Sequence, residues 1–530
     1  EPEHVGQVRK SQFRSQWEEA MASEFSTAMK MGTFRWEKTT PDGKNDAKTL
    51  PLKWVYKYKT DSNGFIQRFK ARLCARGDLQ ATTHDTYAST LALKVFRLMC
   101  AIVAHFDLEM EQMDAVNAYL NAELPRPIHL QSPPGIETPE GSRLLLLRAL
   151  YGLKESGFLW QQKLRHTLED LGLKQVPGVE CLYTDGFLTF FFYIDDMALI
   201  YARRHLDRAE HFKTELRKAF EIKFLGNLTW YLGIKVTRDR STRSLWLSQE
   251  AYINKIVSTF EVHLTARKTR SPLPSNLTLP PPSASPSPAI TRAYQRRTGS
   301  IAYAAMATRP DVAHAASVLS TYNRGPTEAH LKAADHCLRY LLEHAAHALH
   351  YGSTSTTPGS DSDVALYQHE FSGASDSSFA DDKATRCSSE GMIFHLFGTP
   401  VDWRAARQKT VTKSSTDAEL LALSHAGSEM VWWIRLFKYL QLTLDTPVLY
   451  CDNLQTLRVI KCETARAKTA MRHVDIHQCW LRQEYARGHL HCDWIETSKM
   501  PADGLTKILS PQRHAAFLKQ LSLVNCTNDE

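Results

Sequence analysis

At 530 residues the chain is too long for a single core, and about two to four domains are expected. Its hydrophobic (43%) and charged (23%) fractions are ordinary for globular protein, and the absence of any apolar run near the ~18–20 residues of a membrane span argues against a membrane protein. A net charge of +8 suits a polyanionic partner, while ten scattered cysteines with no Cys-x-x-Cys pair argue for a reducing compartment and against a disulfide framework or a ribbon-type zinc site.

The chain opens on EPEHVGQVRK, with neither an initiator Met nor a signal peptide, as expected of a segment cut from a longer precursor. Phe13, Trp17, Met21, Phe25 and Met29 recur at near i+4 spacing and predict a helix packed by one face. Leu50–Lys59 and Phe65–Gly77, joined by Asp61-Ser-Asn-Gly64, read as a β-hairpin. Alternation puts Arg68, Lys70 and Arg72 on one face and Phe69, Ala71 and Leu73 on the other. Such a basic strip is either a solvated strand face or a surface for a triphosphate or nucleic-acid backbone. Residues 94–110 look helical, and Asp114 sits where a short strand would end and a helix begin. A proline-rich run follows, then an apolar strand, a turn at Tyr151-Gly152 and a helix within Arg143–Gly172.

Phe187–Tyr201, FLTFFFYIDDMALIY, is two strand-length apolar runs flanking Asp195 and Asp196, a hairpin with acids at its turn. Adjacent carboxylates at a tight turn repel one another, and burial raises their pKa. The turn is either solvated or a cation site, and the hydrophobic flanks favour the cation; Mg²⁺ is the hard, oxygen-seeking candidate. Helices are predicted at His205–Phe220 and Leu247–Val262. Residues 271–290 are Pro/Ser-rich and read as a linker, and 291–351 as an Ala/His-rich helical satellite.

From about 371 to 525, strands followed by helices predict an α/β domain. It carries Asp376, Glu419, Asp452 and Asp503, three of them next to apolar strands, so their side chains are expected to converge at one sheet end. Four converging carboxylates cannot all ionise without divalent cations. Two metals ~3.5–4 Å apart would clamp the attacking and leaving oxygens of a phosphodiester displacement. The nearby His and Cys residues fit no familiar zinc spacing; His473 is the candidate for proton shuttling or product release.

In order, KARLCARG (70–77), QMDAVNAYLNAEL (112–124), ALYGLKESGFLW (149–160), YIDD (193–196), WYLGI (230–234), TRPDVAHAASVLS (308–320), LRYL (338–341), SSTDAELLAL (414–423) and ADGLTK (502–507) make a specific set. From about Trp17 to Leu521 the chain resembles the Pol region of copia-type LTR retrotransposons, a reverse transcriptase joined to a ribonuclease H. The family more often has Val-Lys-Thr-Ala-Phe after the first aspartate; Ala-Val-Asn-Ala-Tyr here keeps the aromatic.

That resemblance implies an α+β right-hand polymerase followed by a connection and an α/β ribonuclease H-like domain. The implied order is an N-terminal helix and fingers (1–110), a palm with a fingers insertion (111–240), a thumb (241–270), a linker (271–290), a helical connection (291–352), a second linker (353–370) and the ribonuclease H domain (371–525). The palm would be an antiparallel sheet backed by helices, with the Asp195-Asp196 hairpin facing the cleft. Asp114, Asp195 and Asp196 would hold the two Mg²⁺ of polymerisation, and Asp376, Glu419, Asp452 and Asp503 the two of RNA cleavage, with Mn²⁺ as a substitute and His473 accessory. Lys70, Arg72, Ala118, Tyr119 and Gly152 would contact the incoming dNTP, with Tyr119 rejecting a ribose 2′-hydroxyl. Lys223 would protonate pyrophosphate, and Trp230, Tyr231, Leu232 and Gly233 would grip the primer.

The implied partners are RNA template, DNA primer, RNA/DNA hybrid and dNTPs, with integrase and Gag of the same element, dimerisation and no membrane. The implied place is a cytoplasmic virus-like particle with later nuclear entry. The competing reading is a domesticated or decayed, catalytically silent nucleic-acid-binding scaffold. All seven metal-ligand acids are present, which favours activity.

Overall fold

Alternation shapes the N-terminal hairpin as expected. Leu52–Thr60 pairs antiparallel with Ile66–Ala75, which buries Ala71, Leu73 and Ala75 and leaves Arg68 exposed and Lys70 and Arg72 half-exposed. The helix Arg14–Lys30 covers the apolar face: Trp17 and Met21 are buried, and the Trp17 ring lies 4.9–5.3 Å from Tyr56, Tyr58 and Phe69. Full burial of such aromatic side chains stabilises by roughly 1.5–3 kcal/mol each.

The computed structural model describes residues 1–38, 49–60, 65–80, 87–266, 268–352, 369–461 and 475–526. The turn expected at 61–64, the segment 353–368 within the second expected linker, and His473 lie outside these residues. The chain divides into two units, Glu1–Leu91 with Glu111–Gly226, and Ala92–Met110 with Asn227–Glu530.

In the first unit a six-stranded sheet runs in the order Ile222–Asn227, Glu109–Ala115, Asp196–Tyr201, Leu188–Tyr193, Val179–Thr184, Lys174–Val176. The apolar runs bury Phe190, Phe191, Met197, Ala198 and Leu199, and this fixes the hairpin register at Asp196 opposite Tyr193. Helices Ser156–Asp170 and Leu206–Ala219 bury Trp160, Leu164, Phe212 and Leu216. A separate three-stranded sheet carries Pro125 and Pro127 of the proline-rich run on its edge strand Glu123–Leu130, where a residue without an N–H is tolerated.

The second unit contains two five-stranded sheets. In one, Phe371–Ser378 pairs antiparallel with Ser389–Leu396 and parallel with Val448–Cys451, which pairs parallel with His491–Trp494. The 25-residue helix Ser415–Tyr439 packs on this sheet, started by Ser414, whose Oγ accepts the Asp417 N–H. In the other sheet, Ser244–Ser248 pairs with His347–Tyr351. Four expectations are thereby corrected. The helix predicted over Leu247–Val262 is shorter, Glu250–Thr259, because Ser244–Ser248, buried at all positions but Trp246, pairs into the sheet. The satellite read as helical through 351 ends in the strand His347–Tyr351, buried along its length. The helix read over 94–110 stops at Phe106, where Asp107 turns left-handed, and a strand starts at Glu109. The Pro/Ser-rich stretch is not a free linker at its start: Ser271, Pro272 and Leu273 are buried. Among the described residues no helix is long and apolar enough to cross a membrane.

Candidate active sites

Asp114 is the penultimate residue of Glu109–Ala115, and Asp196 opens the neighbouring strand, so pairing alone brings both to one sheet end. The turn between Tyr193 and Asp196 is Ile194-Asp195, with Ile194 at φ 59°, a conformation a β-branched residue adopts only under constraint. Two hydrogen bonds supply it: Trp160 Nε1–H donates to the Ile194 carbonyl (2.9 Å) and the Ala115 N–H to the Asp195 carbonyl (3.1 Å). Burial, reinforced by Asp195 and Asp114, pushes the Asp196 carboxyl up to about 6. Burial and Asp195 likewise raise Asp114, against the lowering pull of Lys223, Lys70 and Arg72.

Asp114 and Asp195 line a cavity of about 540 Å³ together with Lys70, Arg72, Lys223, Tyr151 and Glu24. Among the described residues no ion pair within 4.0 Å joins these lysines and the arginine to the aspartates. Burial and the neighbouring Arg72 lower the Lys70 pKa. The Arg72 guanidinium stacks on the Tyr151 ring at 4.7 Å. Tyr119 is not on the cavity wall; it meets Tyr151 edge-on at 5.0 Å, and Ala118 is buried beneath.

Gly152 was expected near the nucleotide. It has φ +89°, and a Cβ there would lie 2.2 Å from the Ala75 carbonyl oxygen. Gly77 is its counterpart: a Cβ there would lie 2.0 Å from the Gly152 oxygen. The two glycines let the basic strand and the Tyr151 turn touch backbone to backbone, sealed by the Ala75 N–H donating to the Tyr151 carbonyl at 2.8 Å. Sequence reasoning missed Gly77 in this role, although it closes the KARLCARG motif.

Trp230 to Gly233 belong to the second unit and form a tight hairpin in which Leu232 (φ 51°) and Gly233 (φ 74°) make the turn. Trp230 is exposed, Tyr231 stacks on Phe96 at 4.8 Å, and Tyr303 Oη–H donates to the Leu232 carbonyl at 2.6 Å.

The other four acids do converge. Asp376 is on the central strand Phe371–Ser378, Asp452 follows Val448–Cys451 on the parallel neighbour, Glu419 faces them from the long helix, and Asp503 lies in the 3₁₀ turn Pro501–Leu505. Glu419 Oε1 accepts the Ser377 N–H (3.1 Å) and Oγ–H (2.9 Å); its buried Oε2 has no hydrogen-bond partner. Burial first, then Asp376 and Asp452, holds Glu419 well above the usual carboxylate range. Burial pushes Asp376 up to about 6, with Lys507 pulling it down and Asp452 and Asp503 adding to the rise. Thr506 Oγ1–H donates to Asp376, and Thr497 Oγ1–H to Asp452 at 2.8 Å. Lys507 Nζ binds Asp503 and lies 3.4 Å from Asp376, while Arg513 reaches Asp503 at 2.9 Å. Thr506 and Lys507 stand inside the ADGLTK motif, so their signal was present in the sequence, unread.

Both constellations fit hard divalent cations: they are clustered carboxylates, among which burial raises Asp114, Asp196, Asp376 and Glu419, and the second holds a buried oxygen with no donor. The hairpin brings Asp195 to the wall of a basic cavity, and residues 39–273 match the family model described as "Reverse transcriptase (RNA-dependent DNA polymerase)". The chain is 30% identical over 98% of its length to the retrovirus-related Pol polyprotein from transposon TNT 1-94 of Nicotiana tabacum, and covers 39% of it. It is also 30% identical to a transposon Ty5-1 protein of Saccharomyces cerevisiae, matching 60% of this chain and all of that protein. This chain belongs to the copia-type retrotransposon Pol reverse transcriptase family. It spans about two fifths of the tobacco polyprotein. The solved foamy viral protease–reverse transcriptase in complex with double-stranded DNA matches 90% of this chain and 69% of that one at 13% identity and a TM-score of 0.49.

Proposed function

We propose that the chain is an RNA-directed and DNA-directed DNA polymerase with a ribonuclease H activity, built as a right hand, a connection and a ribonuclease H-like domain. The observation that carries it is the 540 Å³ cavity with Asp114 and Asp195 among its lining residues and Lys70, Arg72 and Lys223 beside them. That pairing of charges suits a metal-bound triphosphate.

In this reading Asp114, Asp195 and Asp196 hold two Mg²⁺, which supply Lewis acidity to the primer 3′-hydroxyl and to the leaving pyrophosphate. Lys70 and Arg72 bind the triphosphate oxygens, and the Arg72–Tyr151 stack fixes the guanidinium plane. Tyr151, with Tyr119 braced edge-on behind it, sets the width of the sugar pocket. Lys223, beside Asp114, delivers a proton to pyrophosphate. Asp376, Glu419, Asp452 and Asp503 hold the cations of hybrid cleavage, Ser377 and Thr506 orient two of them, and Trp230–Gly233 lies along the primer. RNA template, DNA primer, hybrid and dNTPs are the substrates; integrase and Gag of the same element, a dimer and a cytoplasmic particle with nuclear entry complete the proposed setting.

The test is primer extension on a 5′-labelled RNA template with and without Mg²⁺. Extension with shortening of the RNA is the expected result. Extension alone removes the ribonuclease H assignment, and binding without turnover removes both and leaves the scaffold reading.

A further inference from the structure

Glu419, Cys451 and Asp452 bring two carboxylate oxygens and a thiol sulfur within 4.8 Å of one another. Their placement follows from the fold. Val448–Cys451 ends beside the central strand, so its last side chain and the residue after it meet the helix carrying Glu419. Cys451 is fully buried, whereas Asp452 is half-exposed and gives access from solvent.

Glu419 supplies a second, independent pointer to a ligand. Its residue is 6% exposed, one oxygen is saturated by Ser377, and the other has no donor. A carboxylate oxygen buried without a donor is costly, and a cation relieves it. Hard cations account for the two carboxylates but leave the sulfur unused, because Mg²⁺ takes oxygen ligands and thiolates select softer metals.

We propose that Glu419, Cys451 and Asp452 form a capture site for a soft divalent cation of the zinc class, and that filling it shuts the nuclease site. On binding, the Cys451 Sγ–H proton passes to solvent as the metal–sulfur bond forms, and both carboxylates bind without further change. Zinc ligand bonds of about 2.0–2.3 Å place tetrahedral ligand atoms roughly 3.3–3.7 Å apart, so the triad closes by about 1 Å. The Asn453 N–H, 3.4 Å from Sγ, and Thr497, bonded to Asp452, support the two outer ligands.

The probe is Cd²⁺, which reports sulfur ligation through an ultraviolet charge-transfer band. It is titrated into the full chain in a Cys479→Ser background, which removes the one exposed thiol among the described residues. The band is expected to saturate near one equivalent. It is lost at that equivalent in Cys451→Ser, and Glu419→Gln, which keeps the sulfur, binds at least tenfold more weakly. An unchanged first-equivalent band in Cys451→Ser, or unweakened binding in Glu419→Gln, overturns the site.

The inhibitory consequence rests on the proposed nuclease reading. Zn²⁺ at one equivalent should stop RNA shortening in Mg²⁺ while primer extension continues, and Cys451→Ser should resist it. RNA shortening that zinc leaves untouched overturns the proposed shut-off. A Cys451-dependent band in a chain that never cleaves RNA refutes the nuclease reading alone.

Discussion

Gly152→Ala offers a test in which the structure supplies its own control. Gly152 and Gly172 both lie in the first unit at φ +89°, but a Cβ at Gly172 meets nothing within 4 Å, whereas at Gly152 it would meet backbone oxygen at 2.2 Å. The conformational penalty is shared and amounts to about 1–2 kcal/mol. Only Gly152→Ala adds steric displacement. Moving two backbones apart by about 1 Å strains the Ala75–Tyr151 hydrogen bond and costs about 1–3 kcal/mol more. At roughly 2–4 °C per kcal/mol for a unit of about two hundred residues, Gly172→Ala should lower Tm by about 2–8 °C and Gly152→Ala by about 4–20 °C, always the larger of the pair. Thermal unfolding followed by near-ultraviolet circular dichroism reads both. The surviving folded fraction of Gly152→Ala should also show a raised KM for dNTP, because Tyr151 and Arg72 lose their relative position. Equal losses of stability in the two variants would refute the claim that backbone contact, rather than dihedral angle, fixes glycine at 152.

Acid should destabilise the second unit. His314, His347, His395 and His514 are buried and held neutral, each down to about 4 from an ordinary 6.5. Between those values the unfolded chain binds more protons, so stability falls as pH falls, by about 1 kcal/mol per histidine between pH 7 and 5.5. Asp376 and Asp402, raised to about 6 by burial, oppose this by somewhat less than ~1 kcal/mol each over the same range. Unfolding free energies from urea titrations at the two pH values should diverge less in His395→Phe by about 1 kcal/mol, and an unchanged divergence would exclude His395 from the effect. Asp195→Asn should abolish Mg²⁺-dependent extension and spare RNA cleavage, Glu419→Gln the reverse; loss of both activities in either variant would contradict two separate sites. Lys507→Met should lower the Mg²⁺ concentration needed for half-maximal RNA cleavage, since Lys507 contacts Asp376 and Asp503; a higher requirement would mean that the lysine instead holds the carboxylates in place.

Period-two patterning made the hairpins legible: one face of Ile66–Ala75 and both arms of Leu188–Tyr201 buried as their alternation and apolar runs required. The acids were legible because clustered carboxylates have little use without cations. Legibility failed where the partner was distant in sequence. No local pattern tells that Gly77 answers Gly152, that Trp160 pins Ile194, or that Ser244–Ser248 pairs with a strand about a hundred residues on. Helix ends failed for a related reason. Leu247 and Leu349 have helix-compatible neighbours, but cross-strand burial outweighs their propensity.

The two acid clusters answer like-charge repulsion differently, and the difference bears on metal demand. Around Asp114 and Asp195, Lys70, Arg72 and Lys223 share the cavity without ion-pairing to the acids among the described residues, so the cations remain available to an incoming anion. The carboxylates are left to protonation or to metals, and Asp196 at about 6 lies close enough to neutrality for both to compete. Around Asp376 and Asp503 an internal ammonium already sits on the oxygens: burial alone would lower Lys507, but the two carboxylates win and raise it. A metal entering the first cluster displaces protons, whereas one entering the second must also displace Lys507. On the proposed reading, the two activities should therefore separate in a Mg²⁺ titration near neutral pH, DNA synthesis saturating at the lower concentration. As pH falls toward 6 both requirements should rise, because Asp196 and Asp376 each sit at about 6 and Glu419 is held well above the usual carboxylate range, so protons compete with the metal at both clusters.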